Sequence, residues 1–202
     1  MELGSGHLQV PTSLSPTTLS QAIDICTAVK HLHSKGIVHY NIKVENIILV
    51  NSSVKLADLG STQKVCHSLH VTPKFIPPEA YKHVYGFSFD VYSLGILLYE
   101  MFANRLSFEG MSASAVINAK DTWHLFRYFP RFPLSISSLI GKCLSVDPSE
   151  RPSINHVLKR LKDFQLVFEA MEANNSLNGD QPEVSDDDHT SLEHEEGGPC
   201  SD

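Results

Sequence analysis

The sequence predicts a mainly α-helical domain that carries one small β-hairpin and ends in an acidic tail. Three observations predict it. Apolar residues recur at helical spacing in several stretches, two short strand-like runs flank a polar turn, and the composition changes abruptly after Met171.

In chain order, residues 5–16 are rich in Ser, Thr and Pro and are expected to form a loop. Ser15-Pro16 then opens a helix, because proline is tolerated in a first turn where its missing N–H has no partner to lose. Leu19, Ala22, Ile23, Cys26, Val29, Leu32 and His33 give that helix a core face, and Gly36 stands where a C-terminal cap belongs. Ile47–Val50 and Val54–Ala57 read as strands around the polar turn Asn51-Ser52-Ser53. Ser61 to Lys74 has no periodicity and reads as a long loop. From Phe89 a helix returns, with Val91, Leu94, Leu97, Leu98 and Met101 on one stripe. Pro133–Leu144 and Ile154–Phe168 are two further amphipathic helices, the second opened by Ser153 as N-cap.

Charge is unevenly placed along the chain. The net charge is −7, yet the stretch from Glu172 to the end holds ten acidic residues and no Lys or Arg. Residues 1–171 therefore carry 16 basic against 13 acidic residues. With its polar composition, 172–202 cannot bury enough apolar surface to offset its ordering entropy, and a disordered acidic tail is expected. Ser185 before Asp186-Asp187-Asp188 resembles a site for acid-directed kinases, and a plain solvated tail is the alternative reading.

These numbers also exclude several classes. No dense Lys/Arg stripe with interleaved aromatics is present, so nucleic acid is not an expected partner. The most apolar stretch, Leu94 to Tyr99, is far short of the about 20 residues that span a bilayer, so no membrane association is expected. Met1-Glu2-Leu3-Gly4 begins no signal peptide, and four cysteines without a Cys-x-x-Cys pair suit a reducing compartment. The expected setting is cytoplasm or nucleus, not secretion. Cys66, His67 and His70 lack a nearby fourth ligand for zinc, and His31 and His33, two apart on a helix, face different directions.

Five motifs, in order, carry a resemblance. His39-Tyr40-Asn41-Ile42-Lys43-Val44-Glu45-Asn46 is similar to a protein-kinase catalytic loop. Asp58-Leu59-Gly60 resembles the metal-binding Asp-Phe-Gly turn. Thr72 to Glu79 resembles the end of an activation segment, with Pro77-Pro78-Glu79 for Ala-Pro-Glu. Asp90-Val91-Tyr92-Ser93-Leu94-Gly95 resembles the start of the family's central buried helix, and Asp147 to Pro152 the turn whose arginine pairs with the activation-segment glutamate. Over residues 1–168 the chain thus resembles the C-terminal lobe of a Ser/Thr-type protein kinase.

The resemblance implies roles for named residues. Asn46 and Asp58 stand where the family binds Mg²⁺, and Ile48 where it floors the adenine pocket, so Mg-ATP is the cofactor it implies. Lys43 stands beside the transferred phosphate. Asn41 replaces the aspartate that accepts the substrate hydroxyl's proton, and an amide cannot take up that proton. Tyr40 replaces the arginine that reads a phosphorylated activation loop, while Leu59 for Phe still fills an apolar slot. His39 is expected to brace the loop from the core, and Glu79, Asp90 and Arg151 to hold the fold. No glycine-rich loop, strand lysine or partner glutamate is present, and residues 1–4 resemble the hinge between lobes. The expected organisation is a kinase-like C-lobe over 1–171 with its N-lobe absent, then the tail over 172–202.

Two functions follow. One is a pseudokinase fragment that binds protein partners through the face an N-lobe normally covers, or through the docking helices of residues 111–144. The other is a Ser/Thr protein kinase active only in a longer form.

Overall fold

The computed structural model describes residues 6–7, 14–50, 53–59, 72–103, 106–119 and 132–178. In chain order the elements are β1 (Gly6–His7), α1 (Pro16–Ser34), β2 (Ile47–Val50), β3 (Ser53–Leu56), α2 (Phe87–Ala103), α3 (Ala113–Ala119), α4 (Leu134–Cys143) and α5 (Ile154–Asn178). Short 3₁₀ turns lie at Val44–Asn46, Pro73–Phe75, Pro78–Lys82 and Pro148–Glu150. The molecule is mainly helical, as expected.

Both ends of α1 are made by the residues that announce them. The Ser15 hydroxyl accepts the Thr18 N–H at 3.1 Å, and Pro16 occupies the first turn. At the other end Gly36 adopts φ 73°, its N–H bonds His33 O, and the Ile37 N–H bonds Leu32 O. That pair of bonds closes the helix through a left-handed residue, which glycine adopts without a Cβ penalty.

β2 and β3 form the expected hairpin, with Ile47 opposite Leu56 and Val50 opposite Ser53. The sheet has a third strand that composition did not announce. Gly6–His7 lies antiparallel to β2, with Gly6 opposite Leu49, inside a stretch expected to be loop. Two residues held by pairing with a distant strand leave no local periodicity to read.

α2 is the centre of the core. The expectation of a single apolar stripe is too narrow, because every residue from Phe89 to Phe102 is buried. The helix touches α1, α4 and the turns at Pro73–Phe75 and Pro148–Glu150, so no side of it faces water. At Gly95, α4 leaves no room for a side chain: a Cβ there would lie 2.8 Å from Cys143 Cβ. Cys26 on α1 and Cys143 on α4 are both fully buried. Burial holds the Cys26 thiol far above its ordinary range and pushes Cys143 up to about 12.

α5 begins as expected, the Ser153 hydroxyl accepting the His156 N–H. It lies along α1 and continues to Asn178, ten residues past Phe168. The expected tail boundary at Glu172 is therefore corrected: residues 172–178 are helical. A helix already nucleated on the core extends through Glu, Ala and Asn at little cost per residue. The hinge-like residues 1–4, most of the Ser61–Lys74 loop, Gly60, the Cys66/His67/His70 group and the tail from 179, with Ser185, lie outside the described residues.

Candidate functional site

The loop from His39 to Asn46 is built by the helix behind it. Asp90, at 0% exposure in the first turn of α2, accepts the His39 N–H at Oδ2 and the Tyr40 N–H at Oδ1, both at 2.8 Å. His33 Nε2 reaches the same carboxylate at 2.9 Å from α1. One buried carboxylate thus joins two helices and the loop. Its grip is what lets Tyr40 hold φ 63°, a left-handed conformation that a bulky residue rarely adopts unaided. The Tyr40 ring meets Phe89 and Tyr85 edge to face, at centroid distances of 5.2 and 6.0 Å. An aromatic residue seated on aromatic neighbours replaces the arginine of the motif.

His39 is a core residue, as expected. Its Nδ1 accepts the Asn41 N–H at 3.2 Å, so the proton is on Nε2, which donates to Ala57 O at 3.0 Å. Ala57 returns the link through its own N–H to Asn46 O at 2.8 Å. The loop and the end of β3 are therefore stitched together on both sides of Asp58.

Those bonds bring three of the five singled-out residues together. Asn41 Nδ2 donates to Asp58 Oδ2 at 3.1 Å, and Asn46 Nδ2 donates to Asn41 O at 2.7 Å. Asp58, like Tyr40, has φ 63°. Lys43 caps the Val44–Asn46 turn through its carbonyl, and its ammonium has no partner among the described residues. Ile48 sits half-buried on β2 between His7 and Lys55, without a bond to the other four.

The donor set fits a hard divalent cation. Asp58 offers a carboxylate and Asn46 an amide carbonyl, and neither Asp58 Oδ1 nor Asn46 Oδ1 has a hydrogen-bond partner among the described residues. No group of three or more His, Cys, Asp or Glu side chains with metal-ligand geometry occurs among the described residues. Nor is any described helix long and apolar enough to cross a membrane.

Leu59 departs from expectation. It fills no closed slot: it is 49% exposed and lines a cavity of about 550 Å³ with Ala28, Leu32, Val54 and Leu56, rimmed by Asp24 and His31.

The segment from Thr72 to Glu79 is anchored at three points. Lys74 Nζ meets Glu100 at 2.8 Å, Phe75 O accepts the Ser93 hydroxyl at 2.7 Å, and Glu79 pairs with Arg151. The first two escaped sequence reasoning. Glu100 is wholly buried, with its Oε1 also accepting the Ser107 N–H and hydroxyl. The signal was present in the sequence as a lone carboxylate inside the run Leu97-Leu98-Tyr99-Glu100-Met101.

Known proteins bear on the same residues. The protein kinase domain family matches residues 7–161. The chain is 32% identical over 171 residues to the dual specificity protein kinase pyk3 of Dictyostelium discoideum, covering 80% of this chain and 13% of that protein. It is 32% identical over 147 residues to the human serine/threonine-protein kinase Nek5, covering 68% and 21%. It is 34% identical over 155 residues to the serine/threonine-protein kinase pim-2 of Danio rerio, covering 73% and 47%. The chain thus spans less than half the length of each of these relatives. A family match over most of the chain, on a mainly helical fold that gathers the loop and turn motifs at one place, carries one conclusion: the chain belongs to the protein kinase family.

Proposed function

We propose that this chain is a catalytically impaired kinase-like domain, a pseudokinase that corresponds to a C-lobe and acts through contacts with other proteins. The observation that carries the reading is the bond from Asn41 Nδ2 to Asp58. In phosphoryl transfer the residue at this place accepts the proton of the attacking hydroxyl. Here the group that faces the site is an amide donor, which has no basic lone pair to receive it. Asn46 and Asp58 would hold Mg²⁺, which when bound neutralises charge on the phosphates of ATP. Lys43, whose ammonium has no partner among the described residues, would add a positive charge beside them.

Retention of Lys43, Asn46 and Asp58 favours a second reading, a Ser/Thr protein kinase that transfers the γ-phosphate of ATP to protein hydroxyls in a longer form of the protein. Phosphotransfer from labelled Mg-ATP to a generic Ser/Thr peptide separates the two. The pseudokinase reading expects no turnover by the chain alone or by any longer product that includes a glycine-rich loop. Turnover by the longer product, lost in Asp58→Ala, establishes the enzyme instead.

A further inference from the structure

We propose that Asn41 is a positioning residue that stands in for a cation at Asp58, so that the site is held together without metal and binds divalent ions weakly. The inference rests on the reading above in which Asp58 and Asn46 form the cation site.

The geometry supplies the argument. Asp58 has a left-handed backbone, φ 63°, and its side chain is exposed, so something must fix where its carboxylate points. Its hydrogen-bond partner among the described residues is the Asn41 amide at 3.1 Å. The orientation of that amide is settled by charge, since a carboxylate oxygen accepts and only Nδ2 can donate to it. Asn41 is itself held, its carbonyl taking the Asn46 amide at 2.7 Å and its N–H bonding His39 Nδ1 at 3.2 Å. A chain of donors therefore runs from Asn46 through Asn41 to Asp58.

An aspartate at position 41 would face Asp58 across the same gap. Two carboxylates that close repel, and a cation between them is the ordinary way to hold both. The amide removes the repulsion and supplies a hydrogen bond to a charged acceptor. A cation that takes Asp58 through both carboxylate oxygens must then displace Nδ2 from Oδ2, and one held at Oδ1 alone forgoes that second oxygen, so either way its affinity falls by about tenfold.

The test titrates the full 202-residue chain with Mn²⁺ and follows loss of the free-ion paramagnetic resonance signal. Asn41→Ala should bind Mn²⁺ about tenfold more tightly than the unchanged chain, and Asn41→Asp more tightly still. Asp58→Asn should abolish binding in every background. In chelator, Asn41→Asp should melt below the unchanged chain and recover with Mn²⁺, while Asn41→Ala, which keeps the backbone bonds of residue 41, reports on folding without added charge. Equal affinity in the unchanged chain and Asn41→Ala overturns the proposal, as does binding that survives Asp58→Asn or is absent from all variants. Phosphotransfer is not read in this experiment, so its outcome and that of the proposed function fail separately.

Discussion

Arg151 and Glu79 close a two-pronged ion pair across 72 residues of chain, Nη2 to Oε2 at 2.7 Å, with the guanidinium also donating from Nε to Ser145 O at 2.8 Å and stacked over the Tyr92 ring. The pair fastens the Thr72–Glu79 segment to the turn before α5. Its arginine side chain is at 0% exposure and the glutamate at 8%, so removing one partner leaves a buried charge without its complement. Arg151→Met should lower unfolding free energy by about 3–5 kcal/mol. The double variant with Glu79→Gln should lose less than the two single losses summed, because the orphaned charge is gone. Urea midpoints of the four proteins measure both.

Asp90 is the second structural fulcrum. Asp90→Asn keeps its shape but turns one acceptor into a donor, which faces the Tyr40 N–H in one orientation and the His39 N–H with His33 Nε2 in the other. Each donor left unmatched costs about 1–3 kcal/mol, so the urea midpoint should fall clearly. An unchanged midpoint would show that the loop does not depend on this carboxylate.

Gly95→Ala tests the packing of α2 on α4. The new methyl would lie 2.8 Å from Cys143 Cβ and 2.9 Å from Leu144 Cδ2, and the first of these, bonded directly to the backbone, cannot turn aside. An overpacked core costs about 1–3 kcal/mol. For a domain of this size that is a fall in melting temperature of about 2–4 °C per kcal/mol.

The buried thiols should be silent in the folded protein. With pKa values raised by burial, Cys26 and Cys143 stay protonated through neutral pH, and the thiolate is the reactive form. Iodoacetamide at mildly alkaline pH, read site by site in a mass spectrometer, should modify both only after denaturant is added. The sign of the pH dependence follows. The unfolded thiols titrate near their ordinary value of 9.0 while folded Cys143 holds its proton to about 12, so the contribution is complete below pH 9.0 and is lost as pH rises between the two. A decline across that window that is shallower in Cys143→Ala than in the unchanged chain, and shallower again when Cys26→Ala is added, confirms the assignment.

What the sequence revealed was local or repetitive. Ser15, Pro16 and Gly36 mark the ends of α1 because caps are built from adjacent residues, and the hairpin shows as two runs around a turn. The motif residues Asn41, Asn46 and Asp58 were visible as a group through the family resemblance that their two motifs carry. What escaped was decided at long range. The His33 link to Asp90 spans 57 positions, and the Lys74 link to Glu100 spans 26. Neither leaves a periodicity. The all-round burial of α2 escaped for a related reason: Tyr92, Ser93, Tyr99 and Glu100 read as polar or amphipathic residues until their partners are known. The end of α5 was misplaced because composition reports the cost of ordering a free chain, not of lengthening a helix already anchored.

The bend at residues 39–41 has one further consequence, which concerns time rather than shape. Its two leading amides are held by a carboxylate on the helix at the centre of the core, and its aromatic residue rests on Tyr85 and Phe89 where the family motif places a cation. There is no separate charge to arrive or depart and so no separate clock. The bend forms when α2 is seated and persists until α2 leaves, so its lifetime is that of the folded chain. On the proposed protein-binding function, a partner docking here would meet a surface fixed once, at folding, a standing landmark instead of a signal.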